Sequence, residues 1–169
     1  CGRNFEYLSE DPVLAGELAA EYINGVEEMG VATSLKHFAV NNQEQFRQDV
    51  SVEVDERTLR EIYLKGFEIA VKKAKPTSVM CAYNKVNSIW CSENPFLLKQ
   101  VLKEEWGFDG FVISDWGAVQ DICKAVRAGL DFQMPHNGNI VAELKRGLET
   151  KEISMEAIAH AVANVLKFL

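Results

Sequence analysis

Four short apolar runs, set apart by stretches of helical periodicity, constrain the fold of this chain more than any other feature. The first is Val31-Ala32-Thr33-Ser34-Leu35, which runs extended into Lys36-His37-Phe38. The others are Thr77-Ser78-Val79-Met80-Cys81-Ala82, Gly110-Phe111-Val112-Ile113 and Leu130-Asp131-Phe132-Gln133-Met134. Strands alternating with helices at this spacing imply parallel βαβ units. The order is a helix, four βα units and one extra helix. The expected fold class is α/β, with about four parallel strands alternating with helices. No strong repeat, low-complexity tract or interior linker divides residues 1–169, so one domain is expected.

The helices carry their own start and stop signals. Asp11-Pro12 pairs an N-cap carboxylate with a proline whose missing N–H costs nothing in the first turn. Ala15, Leu18, Ala19, Tyr22, Val26 and Met29 follow at helical spacing, and Gly30 stops that helix. Asp55 caps a long helix with Leu59, Ile62, Tyr63, Phe67, Ala70 and Ala74 on one face. Asn94-Pro95 starts another, running through Leu97, Leu98, Val101 and Leu102 to Trp106 and Gly107. A further helix is expected from about Ala118 to Ala128, with Gly129 as its stop. Two more close the chain, the last carrying Ile158, Val162, Val165, Leu166 and Leu169 after Ser154. The polar loop from Asn41 to Asp49 is long for a βα connection, and such loops in compact domains are functional or disordered. Val50, Val52 and Val54 alternate with polar residues after it, as a short extended piece would.

Composition removes several classes of function. The net charge is −7 and no basic stripe interrupts it, so nucleic acid is not an expected partner. No apolar run is long enough to span a bilayer, so no membrane partner is expected either. Cys1, Cys81, Cys91 and Cys123 form no CxxC pair and no Cys/His cluster with metal-ligand spacing. No metal or cofactor is expected. Buried thiols are the default reading, and the spacing leaves a Cys81–Cys91 disulfide open. The chain starts on Cys1-Gly2-Arg3-Asn4, without Met or signal peptide, which reads as a start partway through a larger gene, with the cytoplasm as the default compartment.

Each run ends in residues that can bind a polyol: Lys36-His37, Tyr83-Asn84, Asp115-Trp116 and Met134, with Arg47 in the first loop. In a parallel barrel these ends converge on one rim, where barrel active sites lie. Asp115 there can act as a nucleophile, and Trp116 offers a flat apolar face to a pyranose ring. Each residue also has a plainer reading. Asp115 could cap the next helix, Lys36 and His37 could be a solvated loop edge, and Tyr83 could pack with its hydroxyl satisfied. Arg47 could pair with Glu44 or Asp49.

On these residues the chain resembles the catalytic barrel of the glycoside hydrolase family 3 β-glucosidases. The matching stretches are GRNFEYLSEDP at Gly2–Pro12, KHFAVNNQEQFR at Lys36–Arg47, VMCAYNKVN at Val79–Asn87, EEWGFDGFVISDWGAV at Glu104–Val119 and AGLDFQMP at Ala128–Pro135. The resemblance implies that Asp115 is the nucleophile. It implies that Arg3, Lys36, His37, Arg47 and Tyr83 contact the sugar or hold the nucleophile, with Trp116 lining the site and Met134 among the substrate contacts. The implied reaction is retaining hydrolysis of terminal β-D-glycosyl residues from a β-linked oligosaccharide or glycoside, through a covalent glycosyl-Asp intermediate. Ala39-Val40-Asn41-Asn42 after Phe38, with no His in the loop, departs from the KHFPGHG signature of the N-acetylglucosaminidase branch and points to the glucosidase or xylosidase branch.

Two departures shape the expectation. The family's barrel has an earlier part, including an Asp that grips sugar hydroxyls, and its acid/base carboxylate comes from a later domain. Neither lies between Cys1 and Leu169, and Glu44, Glu93 and Asp131 are poor substitutes. The resemblance implies a partial (β/α)8 TIM-type barrel: the chain is expected to be the later part of it, without enzyme-like activity alone and prone to self-association through its open sheet edges. The alternatives are a non-catalytic sugar-binding or structural half-barrel, and an unrelated barrel enzyme using Lys36 as a Schiff base, which would need an apolar pocket around Lys36.

Overall fold

The computed structural model describes residues 1–168, so Leu169, expected on the face of the last helix, lies outside the described residues. In chain order the elements are α1 (Pro12–Glu27), β1 (Ser34–Phe38), β2 (Ser51–Val52), α2 (Glu56–Thr58), α3 (Lys65–Ala74), β3 (Ser78–Cys81), β4 (Lys85–Val86), β5 (Ile89–Trp90), β6 (Phe111–Ile113), α4 (Ile122–Ala128), α5 (Ile140–Glu149) and α6 (Met155–Leu166). Between α2 and α3, and again along Phe96–Glu105, the helix widens to i→i+5 bonding. Leu64 N–H reaches Leu59 O at 2.8 Å and Trp106 N–H reaches Val101 O at 3.1 Å.

Local signals set the helix starts. Asp11 accepts from the N–H groups of Val13 and Leu14, Asp55 from Thr58 and Ser154 from Ala157. The fourth helix begins later than its apolar pattern suggests, because Asp121 accepts from Lys124 N–H at 3.0 Å and caps α4 at Ile122. α1 crosses α3 in direct backbone contact. A Cβ on Gly16 would lie 2.8 Å from Ile69 Cβ and 2.9 Å from the Gly66 carbonyl oxygen, so only glycine allows that approach.

β1, β3 and β6 form a parallel sheet in the order β1-β3-β6. This is the expected α/β, TIM-barrel-like architecture, with parallel strands and alternating helices. Its core is Phe38, Val79, Val112, Leu97, Leu98, Val101, Leu102 and Leu130, all fully or almost fully buried. The Phe38 ring meets Phe67 and Trp106 edge-on at 5.2 and 5.9 Å. Cys81 and Cys91 are buried free thiols, so the disulfide left open by the sequence does not form.

The fourth run shrinks to one parallel bridge, Ile113 to Phe132, rather than a strand over Leu130–Met134. Asp131 is the reason. Its carboxylate accepts the Val112 N–H at 2.8 Å, alongside a backbone ladder contact from Phe132 N–H to Val112 O at 3.0 Å. A side chain has taken over part of the pairing.

A second small sheet, β2-β4-β5, was not anticipated beyond the extended piece around Val52. β4 and β5 form a hairpin whose two turn residues, Asn87 and Ser88, have φ of 50° and 70°. β2 pairs with β4 in parallel, with Lys85 N–H on Val50 O at 2.9 Å and Asn87 N–H on Val52 O at 3.0 Å. The long loop after β1 is thereby fastened to the exit of β3. Among the described residues no helix is long and apolar enough to cross a membrane.

Candidate active site

Asp115 stands one residue past the end of the buried sheet, just after Ser114. Ser114 N–H binds Phe132 O at 2.9 Å, and Ser114 Oγ accepts from Met134 N–H at 2.8 Å. Gly117, with φ of +81°, turns its N–H onto Met134 O at 2.7 Å. The turn is thus held by the backbone of Met134, and Asp115 is presented from a rigid support. Its Oδ1 accepts from Trp116 N–H at 2.7 Å. Its Oδ2 is buried and accepts from no protein donor, and lies 3.4 Å from His37 Nε2. Asp115 does not cap α4; Asp121 does.

His37 leads from Asp115 to a group that the sequence reading missed. The imidazole is buried at the end of β1, and its Nδ1 lies 3.2 Å from Glu6 Oε1. The same carboxylate accepts from Arg3 Nε at 2.8 Å and Arg3 Nη2 at 2.9 Å, and Arg3 Nη1 donates to Glu44. Arg3 is buried with its guanidinium committed to these carboxylates, so it reaches Asp115 through Glu6 and His37. Burial by itself would raise the Glu6 carboxyl; the hydrogen bond from Arg3 and the charges of His37 and Lys36 outweigh it and hold Glu6 below the usual carboxylate range. Burial pushes His37 below its ordinary value, with Lys36 and Arg3 adding to the shift and Glu6 and Asp115 opposing it. The only hint of Glu6 in the sequence is its i,i+3 spacing from Arg3.

The other expected residues gather around the same rim. Tyr83 donates to the Trp116 carbonyl at 2.7 Å, and burial together with the negative charge of Asp115 raises its phenol. Arg47 stacks its guanidinium 4.7 Å from the Tyr83 ring centroid, and its Nη1 is buried without a protein partner. Its suggested partner Glu44 is taken by Arg3. The indole of Trp116 is 64% exposed, and the Met134 side chain is half-buried. Lys36 is exposed, without the apolar pocket that a Schiff-base lysine needs. A cleft of about 180 Å³ lies against Tyr83 and Trp116, lined also by Gln48, Asp49 and Gln120.

Among the described residues, the buried side-chain atoms that no protein group satisfies are Asn41 Oδ1 and Nδ2, Arg47 Nη1, Asn84 Oδ1, Asp115 Oδ2 and Gln133 Oε1. All follow the C-terminal ends of the parallel strands or the bridge at Phe132. Buried polar groups are rarely left unpaired, and where they are, the site calls for an explanation. These atoms gather on one rim, the one that carries Asp115. This adds Asn41 and Gln133 to the residues the motifs had singled out.

Comparison with known proteins decides the family. The model of the glycosyl hydrolase family 3 N-terminal domain matches residues 1–168. The chain belongs to glycosyl hydrolase family 3. It is 54% identical over 170 residues to thermostable β-glucosidase B of Acetivibrio thermocellus, covering 100% of this chain and 22% of that protein. An exo-α-(1→6)-L-arabinopyranosidase of Bifidobacterium longum is 50% identical over 152 residues, covering 88% of this chain and 20% of that enzyme. Among solved family 3 structures, β-glucosidase 3B of Thermotoga neapolitana in complex with glucose superposes with a TM-score of 0.96 at 51% identity, covering 100% of this chain and 25% of that one. The chain thus spans about a fifth to a quarter of the length of the family 3 relatives it matches.

Proposed function

We propose that this chain carries the nucleophile side of a retaining β-glycosidase site, of β-glucosidase type, within a single barrel domain. Asp115 is the nucleophile. The observation that carries this reading is where Asp115 stands: just past the end of the buried sheet, its side chain 13% exposed on the rim, with Oδ1 bonded to Trp116 N–H and Oδ2 3.4 Å from a buried imidazole. A partly exposed carboxylate fixed at a strand end is of the right type to attack carbon. Attack on the anomeric carbon gives a glycosyl-Asp ester as the leaving oxygen takes a proton, and water then cleaves the ester with net retention. Lys36, His37 and Arg47 serve as partners for the sugar hydroxyls, Tyr83 and Arg3 hold the surrounding groups, and Trp116 and Met134 give the ring an apolar wall.

The proton donor comes from outside these residues. Glu44 is bonded to Arg3, and Glu93 accepts the Gln120 and Asp121 N–H groups at 3.0 and 2.8 Å. Asp131 has a side chain only 1% exposed and is paired with Lys103 at 2.9 Å. The names of the relatives support a terminal pyranoside as substrate, with β-glucosides first.

The test uses the gene product at its full encoded length, a 2-deoxy-2-fluoro glucoside with a dinitrophenyl leaving group, and aryl β-glucoside, β-xyloside and α-L-arabinopyranoside substrates. The label is expected on the peptide containing Asp115, and Asp115→Asn is expected to abolish turnover of every substrate. Label on a different carboxylate, or full activity in Asp115→Asn, refutes the assignment.

A further inference from the structure

The chain of contacts from Arg3 to Asp115 restricts where a proton can sit. Glu6 Oε1 and Oε2 already accept from two N–H groups of Arg3, and Oε1 is also 3.2 Å from His37 Nδ1. An ionised carboxylate offers acceptors alone, so the Nδ1 contact is a hydrogen bond when Nδ1 carries a proton. A neutral imidazole has one proton to place, and the partner of one nitrogen decides the state of the other. Nε2 is then a bare lone pair, 3.4 Å from Asp115 Oδ2, itself without a protein donor. Two acceptors lie side by side, 3.4 Å apart. A hydroxyl seated beside Nε2 can donate to it, and the hydroxyls beside the anomeric carbon of a pyranoside are of the right chemistry.

We infer that Glu6 is a positioning residue, holding His37 as the Nδ1–H tautomer so that Nε2 accepts a substrate hydroxyl beside Asp115. This rests on the reading of Asp115 as nucleophile. It also makes the acid side of the pH profile a property of His37. Protonation of the ring puts an N–H on Nε2, which ties up Asp115 and removes the acceptor. The charged groups facing the ring are Glu6, Asp115, Lys36 and Arg3. The Glu6 anion favours the protonated ring, so Glu6→Gln moves protonation, and with it the acid limb, to lower pH. The carboxamide can also keep Arg3 on its oxygen while its NH₂ donates to Nδ1, which shifts the ring proton to Nε2.

The experiment combines nitrogen-15 spectra of histidine-labelled protein, at full encoded length, with pH profiles of kcat/KM on an aryl β-glucoside. His37→Asn identifies the signal. The wild-type ring is expected to be neutral and protonated on Nδ1 at neutral pH. Glu6→Gln is expected to reverse or lose that pattern, to lower kcat/KM by about 10²-fold, and to move the acid limb to lower pH. A merely structural role would lower the melting temperature and leave tautomer and acid limb in place. A wild-type ring protonated on Nε2, or an unshifted acid limb in Glu6→Gln, overturns the inference. If Glu6→Gln does not fold, the wild-type spectrum decides alone. Label from the fluoro glucoside on another carboxylate would remove the proposed nucleophile while leaving the tautomer result standing, so the two failures are distinct.

Discussion

Asn87 is the rivet between the loop that carries Arg47 and the strand exit that carries Tyr83. Its side chain accepts from Val54 N–H at 2.9 Å and donates to Val54 O at 3.0 Å, while its backbone sits at φ 50° in the hairpin turn. Asn87→Ala removes both side-chain bonds, each worth about 0.5–1 kcal/mol at an exposed position. It also puts a residue without asparagine's tolerance of left-handed backbone into that conformation, at about 1 kcal/mol. The sum is about 2–3 kcal/mol, which lowers the ratio of docked to undocked loop by roughly 30- to 150-fold. Asn87→Gly separates the two contributions, because glycine adopts the turn freely and loses the bonds alone. Loss of kcat/KM on a nitrophenyl glucoside is bounded by that ratio. If the loop matters through Arg47, the loss is also bounded by the loss in Arg47→Ala. The double variant Arg47→Ala/Asn87→Ala is then expected to be no worse than Arg47→Ala within about 0.5 kcal/mol. Full additivity of the two effects, or a loss of kcat/KM in Asn87→Ala greater than about 150-fold, refutes the reasoning.

Three further outcomes are expected. Asp131→Asn leaves the largely buried Lys103 ammonium without its counter-charge and is expected to cost about 3–5 kcal/mol, much of which Lys103→Met in the same protein should restore; unchanged melting of the single variant would count against it. Burial raises the Glu27 carboxyl, but N–H and hydroxyl donors from Thr33 and Thr77 outweigh burial and hold it below its ordinary value. That stability is present above the ordinary carboxylate value and is lost as pH falls through the lowered one, so wild-type melting should fall more steeply than that of Glu27→Gln between about pH 5 and 3; parallel curves would show that Glu27 contributes nothing. The 169-residue chain expressed alone is expected to self-associate, because α1 exposes Leu14, Leu18 and Tyr22 by 50%, 46% and 72% and β1 ends the order of its sheet; a monomer in sedimentation would exclude it.

Much of this was legible in the residues alone, and the legible part is local. Asp11, Asp55 and Ser154 announce their helices because a cap is a bond to an N–H two or three residues away. The apolar runs around Val79 and Val112 announce buried strands because burial on both faces leaves no polar alternation to keep. The meeting of His37 with Asp115 follows from the same pattern, since parallel strands bring their C-terminal ends to one rim. What could not be read from the chain depends on partners distant in sequence. Asp131 thins the fourth strand because Lys103 and the Val112 N–H, 28 and 19 residues away, compete for its carboxylate. Glu6 gains its place because His37, 31 residues on, arrives beside it. Asn87 fastens a loop 33 residues earlier. A periodicity records which side of an element is buried. Which donor finds which acceptor is settled when the sheet brings them together, for short-range bonds contribute nothing until the chain has closed the distance.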